Sequence, residues 1–279
     1  PRAVKDLFSH QHIMHTLNFR VFHFLITCLF LSSSFLAAQT TRYVTSNSTT
    51  SAGGLGYEIS QASSGDIIEV SNDITISAVI TINKTLTING NGNTVSVEEP
   101  GVLPSGVNNS SPSSHEVFSC SGSSVTITIN DLTLIGGDVQ SSSKGGCITN
   151  TANKLVLNRI IISGGRSSGF NGGGGLSNVS NGVTYLTDCQ LIRNSAGYGG
   201  GFLNTGTMYL DGTTFSENRS ESSNGGGGGC ENQGTLYLNN STFSNNKSTE
   251  IGGGINNYRG TLYITNTTFT GNVAYGSFK

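Results

Sequence analysis

Residues 173–272 state one pattern four times: GGGLSN…VTYLTDCQLIRN from Gly173 to Asn194, GGGFLNTGTMYLDGTTFSEN from Gly199 to Asn218, GGGGCENQGTLYLNNSTFSNN from Gly226 to Asn246, and GGGINNYRGTLYITNTTFTGN from Gly252 to Asn272. Each unit holds a glycine cluster, a short polar step, an alternating strand, a polar turn, a second short strand and an Asn. The second strands align Leu191, Phe215, Phe243 and Phe269, and the same column extends upstream to Ile162 and Leu134. The strands before them align Ile129, Leu157, Leu186, Leu210, Leu238 and Ile264. The two columns drift together, so they belong to one unit of about 27 residues, a period that calls for a solenoid, a propeller or an array.

Within each unit the apolar positions alternate with period 2, as in Thr235-Leu236-Tyr237-Leu238 and Thr261-Leu262-Tyr263-Ile264. That is a strand pattern, and no window carries the spacing of a repeated helix. A four-stranded propeller blade needs a longer repeat, and leucine-rich repeats need several regularly spaced leucines. Three short strands joined by turns fill about 25 residues, so each unit reads as one coil of a parallel β-helix that pairs with the coils above and below. The 39 glycines cluster where turns are expected and do not recur at every third residue, which excludes collagen. The Leu, Ile and Phe columns fill the interior of this reading. Tyr185, Tyr209, Tyr237 and Tyr263 alternate with inward leucines and form an outward aromatic stripe.

Residues 1–38 read as a leader. Met14 opens a secretory signal with Arg20 in its basic region, an apolar core from Val21 to Leu31 and cleavage near Ala38; a short N-terminal membrane anchor is the other reading. Residues 39–71 read as an N-terminal cap, with a strand at 41–45 and a short helix that puts Leu55, Ile59 and Ala62 on one side over the open end of the coil. Residues 72–279 read as the β-helix itself. Within it, 98–119 is an inserted loop rich in Pro, Ser and Asn. No capping change precedes Lys279, so the expectation is a chain truncated at its C-terminus. No second long apolar segment follows the signal, so no membrane span is expected after it.

A formal net charge of −2 without a basic patch leaves nucleic acid binding no electrostatic footing. Cys28 lies in the leader. Cys120, Cys147, Cys189 and Cys230 are too few for a stapled scaffold and read as small apolar filler inside the coils. Cys147 and Cys230 each follow a glycine pair and share one repeat position in this reading. With His115 the only histidine after the leader, zinc and Cys–His chemistry lack ligands and a base, and no metal or other cofactor is expected. Asn130, Asn158, Thr187, Asp211, Asn239 and Thr265 mark one turn per coil. Asn194, Asn218, Asn246 and Asn272, each three beyond the Leu or Phe, mark another; both read as structural ladders.

A β-helix glycosidase needs two carboxylates held together across coils. Asp188 and Asp211 stand one register position apart, while Glu217, Glu221 and Glu231 read as scattered over turns and loops, beside the solvated Arg193 and Arg219. No catalytic residue is assigned. Ten N-x-S/T matches (Asn47, Asn83, Asn108, Asn109, Asn178, Asn218, Asn239, Asn240, Asn246 and Asn266) would mark a glycoprotein in a eukaryotic secretory chain. In a bacterial chain they only reflect richness in Asn, Ser and Thr.

The recurring GGCI, GGGL, GGGF, GGGC and GGGI steps, with Phe215-Ser-Glu-Asn218, Phe243-Ser-Asn-Asn246 and Phe269-Thr-Gly-Asn272, resemble the repeats of the chlamydial polymorphic outer membrane protein family over residues 130–272. Leu191-Ile-Arg-Asn194 is a variant of the second motif. The N-terminal section is similar, more loosely, to pectin-lyase-like proteins. The resemblance implies an all-β fold, a single-stranded right-handed parallel β-helix, exported and carried on the cell surface, at the outer membrane in a Gram-negative bacterium. It also implies a role in adhesion to host or cell-surface proteins or glycans. Family members add a C-terminal barrel that this chain does not contain. The preferred reading is a secreted or surface-displayed, non-catalytic scaffold. A carbohydrate-binding or polysaccharide-degrading β-helix is the alternative, and a crystal- or ice-binding face of Thr184, Thr207, Thr235 and Thr261 is a third.

Overall fold

A computed structural model of the chain describes residues 38–97, 115–140, 143–168, 172–221 and 226–276. The expected signal sequence and residues 98–114 of the expected insertion lie outside these. The described residues form a parallel β-solenoid with one helix, Leu55–Gln61. Four sheets of nine, eight, seven and six strands run along it, and every pairing is parallel between one coil and the next.

Parallel pairing in register turns the sequence columns into physical stacks. Leu134, Ile162, Leu191, Phe215, Phe243 and Phe269 are consecutive partners in the eight-stranded sheet. The Phe215 and Phe243 rings lie 4.5 Å apart and those of Phe243 and Phe269 5.2 Å apart. The first five residues of the column are fully buried, but Phe269 is 44% exposed. It lies in the last described rung with a neighbour on one side only, and Ile264 at 48% shares that position. Burying a phenyl ring in this way is worth about 2–3 kcal/mol, with roughly 1 more from ring stacking.

The solenoid starts earlier than the sequence division suggests. Thr41–Val44 and Ile67–Val70, in the stretch read as a cap, are the first two strands of the nine-stranded sheet. The helix between them buries Leu55 and Ile59 in the same continuous core as the coils, and Ala62 follows just beyond its end. Arg42 turns inward to pair with Glu58 of this helix at 2.9 Å. The insertion also ends earlier: Phe118–Cys120 is a strand paired with Ile80–Ile82 on one side and Ile148–Asn150 on the other.

Two corners of each coil place one residue in the left-handed backbone region. Asp131, Arg159, Asp188, Gly212, Asn240 and Asn266 form one such column, and Gly136, Gly164, Arg193, Glu217, Asn245 and Gly271 the other. Gly, Asn and Asp adopt this region at little cost, and the Arg and Glu members are less at ease there. Those members are joined in pairs between coils, Arg159 to Asp131 and Arg193 to Glu217. The glycine clusters have another cause. At Gly200 a Cβ would sit 2.1 Å from the Gly228 carbonyl oxygen, so consecutive coils approach here more closely than any side chain allows.

Candidate binding surface

The outward side of the nine-stranded sheet is the broadest regular face. Its central column is Tyr185, Tyr209, Tyr237 and Tyr263. Their ring centroids are 4.8, 4.7 and 4.7 Å apart and the planes lie within 9° of parallel. Coil spacing sets that distance, because strands in a sheet lie about 4.8 Å apart. Lys154 lies 4.9 Å from the centre of the first ring and closes that end of the stack. The inner ring faces are therefore occupied by one another, which leaves ring edges directed at solvent. On one side of the tyrosines run Thr207, Thr235 and Thr261, in register.

On the other side run Asn130, Asn158, Thr187, Asp211, Asn239 and Thr265. The Asn158 amide donates to Asn130 at 2.8 Å, and Asn130 to Asn89 at 2.9 Å. Asn239 and Asn240 both donate to Asp211. Thr184 is not part of the outward threonine column. It is buried and bonded to Asn150 and Asn178.

The ladder of Asn194, Asn218, Asn246 and Asn272 runs inside the coil. Asn218 shows the unit. Its Oδ1 accepts from the backbone N–H and side-chain amide of Asn194, and its Nδ2 donates to the Leu191 carbonyl and to Asn246 Oδ1. A second ladder, Asn150–Asn178–Asn204–Asn232–Asn257, is buried in all but its last member and has amide contacts of 2.6–3.0 Å. Sequence reasoning missed it, although each of these asparagines stands three or four residues after a glycine run.

The four cysteines after the leader are free and buried, as filler should be. Burial pushes all four thiols up, Cys189 to about 11. Cys147 and Cys230 do not share a position. Cys230 pairs in the column of Phe202, Leu176 and Ile148, whereas Cys147 aligns with Gly175. Glycine runs of unequal length shifted the alignment by one residue.

The carboxylates are dispersed. Thr187 faces Asp211, so Asp188 is offset by one position. Glu217 pairs with Arg193 at 2.8 Å and Glu221 with Arg219 at 3.6 Å. Glu231 is not in a turn. It is the middle residue of the strand Cys230–Asn232 and is buried, receiving bonds from Asn256 and Gln233. Burial pushes its carboxyl up, and these amides with the Gly227 N–H oppose the shift. Glu116 is buried with Lys144 and Thr149 as partners. Asp138 is buried beside Arg166, and burial pushes it up.

Among the described residues no three His, Cys, Asp or Glu side chains gather as metal ligands, and no helix is long and apolar enough to cross a membrane. An open cleft of about 330 Å³ lies between the helix and residues 78–81, lined by Thr49, Tyr57, Ser60 and Val79 among others. Comparison with protein-family models, curated proteins and solved structures returns no match.

Proposed function

We propose that this chain is a non-catalytic binding scaffold, exported to the cell surface or beyond, whose contact area is the Thr–Tyr–Asn face of the nine-stranded sheet. The observation that carries the reading is the tyrosine stack of 4.7–4.8 Å repeat flanked by in-register hydroxyl and amide columns. Such a face offers amphipathic aromatic edges and hydrogen-bond donors and acceptors with little net charge, the chemistry of protein and glycan contacts. Its side chains are held by the sheet before any partner arrives, so little conformational entropy is lost on binding. The resemblance of the repeats to polymorphic outer membrane proteins supports surface display and adhesion. Carbohydrate recognition is a form of the same reading. Polysaccharide cleavage finds less support, because Glu217 and Glu221 are held by arginines and Glu231 is covered.

The test is binding of residues 39–279 to arrayed glycans and to cell surfaces, with Tyr209→Ser/Tyr237→Ser as the comparison. Loss of binding by the folded variant supports the face. Undiminished binding by the variant, or no binding by the parent chain, overturns it.

A further inference from the structure

Eight of the N-x-S/T asparagines lie among the described residues, and the fold places three of them in its interior and five at its surface. Asn178, Asn218 and Asn246 are fully buried ladder members. Asn83, Asn240 and Asn266 are exposed, the last two at a corner with φ of 47°. Asn47 is exposed and accepts a bond through its Oδ1, and the Nδ2 atoms of Asn239 and Asn240 both donate to Asp211.

In each buried member the side-chain nitrogen is fully used. Asn218 Nδ2 donates to Leu191 O at 2.8 Å and Asn246 Oδ1 at 3.0 Å. Asn246 Nδ2 donates to Phe215 O and Asn272 Oδ1, and Asn178 Nδ2 to Gly182 O and Asn204 Oδ1. N-glycosylation forms a bond from this nitrogen to the anomeric carbon of a lipid-diphosphate-linked oligosaccharide. The carbon–oxygen bond to the diphosphate breaks, and one amide proton leaves to a base. The product retains a single N–H where the ladder uses two, and it carries a sugar where neighbouring coils pack. One lost bond leaves a buried acceptor unpaired, and the sugar has no volume to occupy.

We infer that N-glycosylation and folding are mutually exclusive at Asn178, Asn218 and Asn246, and that the chain matures by an export route that delivers these three asparagines unmodified. Asn47, Asn83, Asn240 and Asn266 are the exposed positions where the folded solenoid accepts a glycan, at Asn240 with loss of its surface bond to Asp211. The inference does not depend on the binding face proposed above. The exclusion follows from the ladders alone, and the export route rests on the exported reading in that proposal.

The experiment is secretion of residues 39–279, behind a host signal sequence, from a yeast that N-glycosylates, with and without an inhibitor of lipid-linked oligosaccharide synthesis. Site occupancy is mapped by mass spectrometry in the protease-resistant and the protease-sensitive fractions. The expected result is glycan at the three ladder positions in the sensitive fraction and its complete loss from the resistant one, with more resistant protein when transfer is inhibited. A Ser180→Ala/Ser220→Ala/Ser248→Ala variant, which removes the three acceptor motifs, should recover resistant protein without inhibitor. Because Ser220 and Ser248 also bond to loop carbonyls, the inhibitor arm stands independently of whether that variant folds. Resistant protein with a glycan on any of the three asparagines overturns the inference. So do ladder positions that stay empty in both fractions, since folding would then outrun transfer and the route would be immaterial.

Discussion

The first rungs and the later ones hold together in different ways. Between Thr41 and Asn130 the interior is almost wholly aliphatic, with Ile68, Val70, Ile74, Ile76, Ile80, Ile82, Leu86, Ile88, Val95 and Val97 buried. From Asn150 to Asn272 the interior keeps an apolar column but adds two amide ladders and a phenyl stack. Where the later asparagines stand at 150, the earlier coils place Ile82 and Cys120. Apolar burial has no direction, and the aliphatic coils differ in length: Ile68 pairs with Ile88, 20 residues on, and Ile88 with Ile129, 41 residues on across the insertion. An amide bond to the next coil has one geometry. In the ladder region the spacing stays between 24 and 29 residues.

The contrast is broken most forcefully at a ladder centre. Asn218→Leu deprives Asn194, Leu191 and Asn246 of partners in the buried interior, and each unpaired group costs about 1–3 kcal/mol. The expected loss is about 4–6 kcal/mol in urea unfolding, with the coils beyond residue 194 opening first in hydrogen exchange. Phe243→Ala, which empties the middle of the phenyl stack, should cost about 3–5 kcal/mol by the same measurement. The matching change in the aliphatic rungs, Ile88→Val, should cost only about 0.5–1.5 kcal/mol and leave exchange in the later coils untouched. Comparable losses from Ile88→Val and Asn218→Leu would erase the distinction.

A finer probe is the pH dependence carried by Glu231. Burial raises its folded carboxyl above the ordinary value of 4.5. The folded chain then holds this proton more tightly than the unfolded chain does. The stability from that group is fully present below the unfolded value and is lost as pH rises through the folded one. Glu231→Gln cannot ionise, so the thermal unfolding temperature of the parent should fall relative to the variant as pH rises above the ordinary value of 4.5. A difference that does not change with pH would contradict the assignment.

What the sequence revealed follows from which features repeat. The Leu–Phe column, the tyrosine stripe and the Asn194–Asn272 ladder were legible because identical residue types recur at one position on a strand of fixed period. The Asn150–Asn257 ladder recurs as faithfully, but it follows glycine runs whose own lengths differ, and Cys147 takes the place of the last glycine before Asn150. Counting back from those asparagines separates the two cysteines: Cys147 is three before Asn150, whereas Cys230 is two before Asn232. Burial of Glu231 had no signal of its own. It occupies a middle strand position that is buried in the preceding coils too, at Thr149, Ser177 and Leu203, where the glycine segment before the strand bonds back to Thr149 and Ser177. The tyrosine face was legible as a pattern, but its ligand was not, since a row of aromatic edges and hydroxyls has no reaction written into it.

The central claim is that stacked asparagine amides bind the later coils in register. Side-chain amide hydrogen exchange, followed by NMR on residues 39–279, tests it most directly. The amide protons of Asn178, Asn204, Asn218, Asn232 and Asn246 should exchange orders of magnitude more slowly than those of exposed Asn83 and Asn266. Exchange of the ladder amides at the rate of the exposed ones would contradict the account.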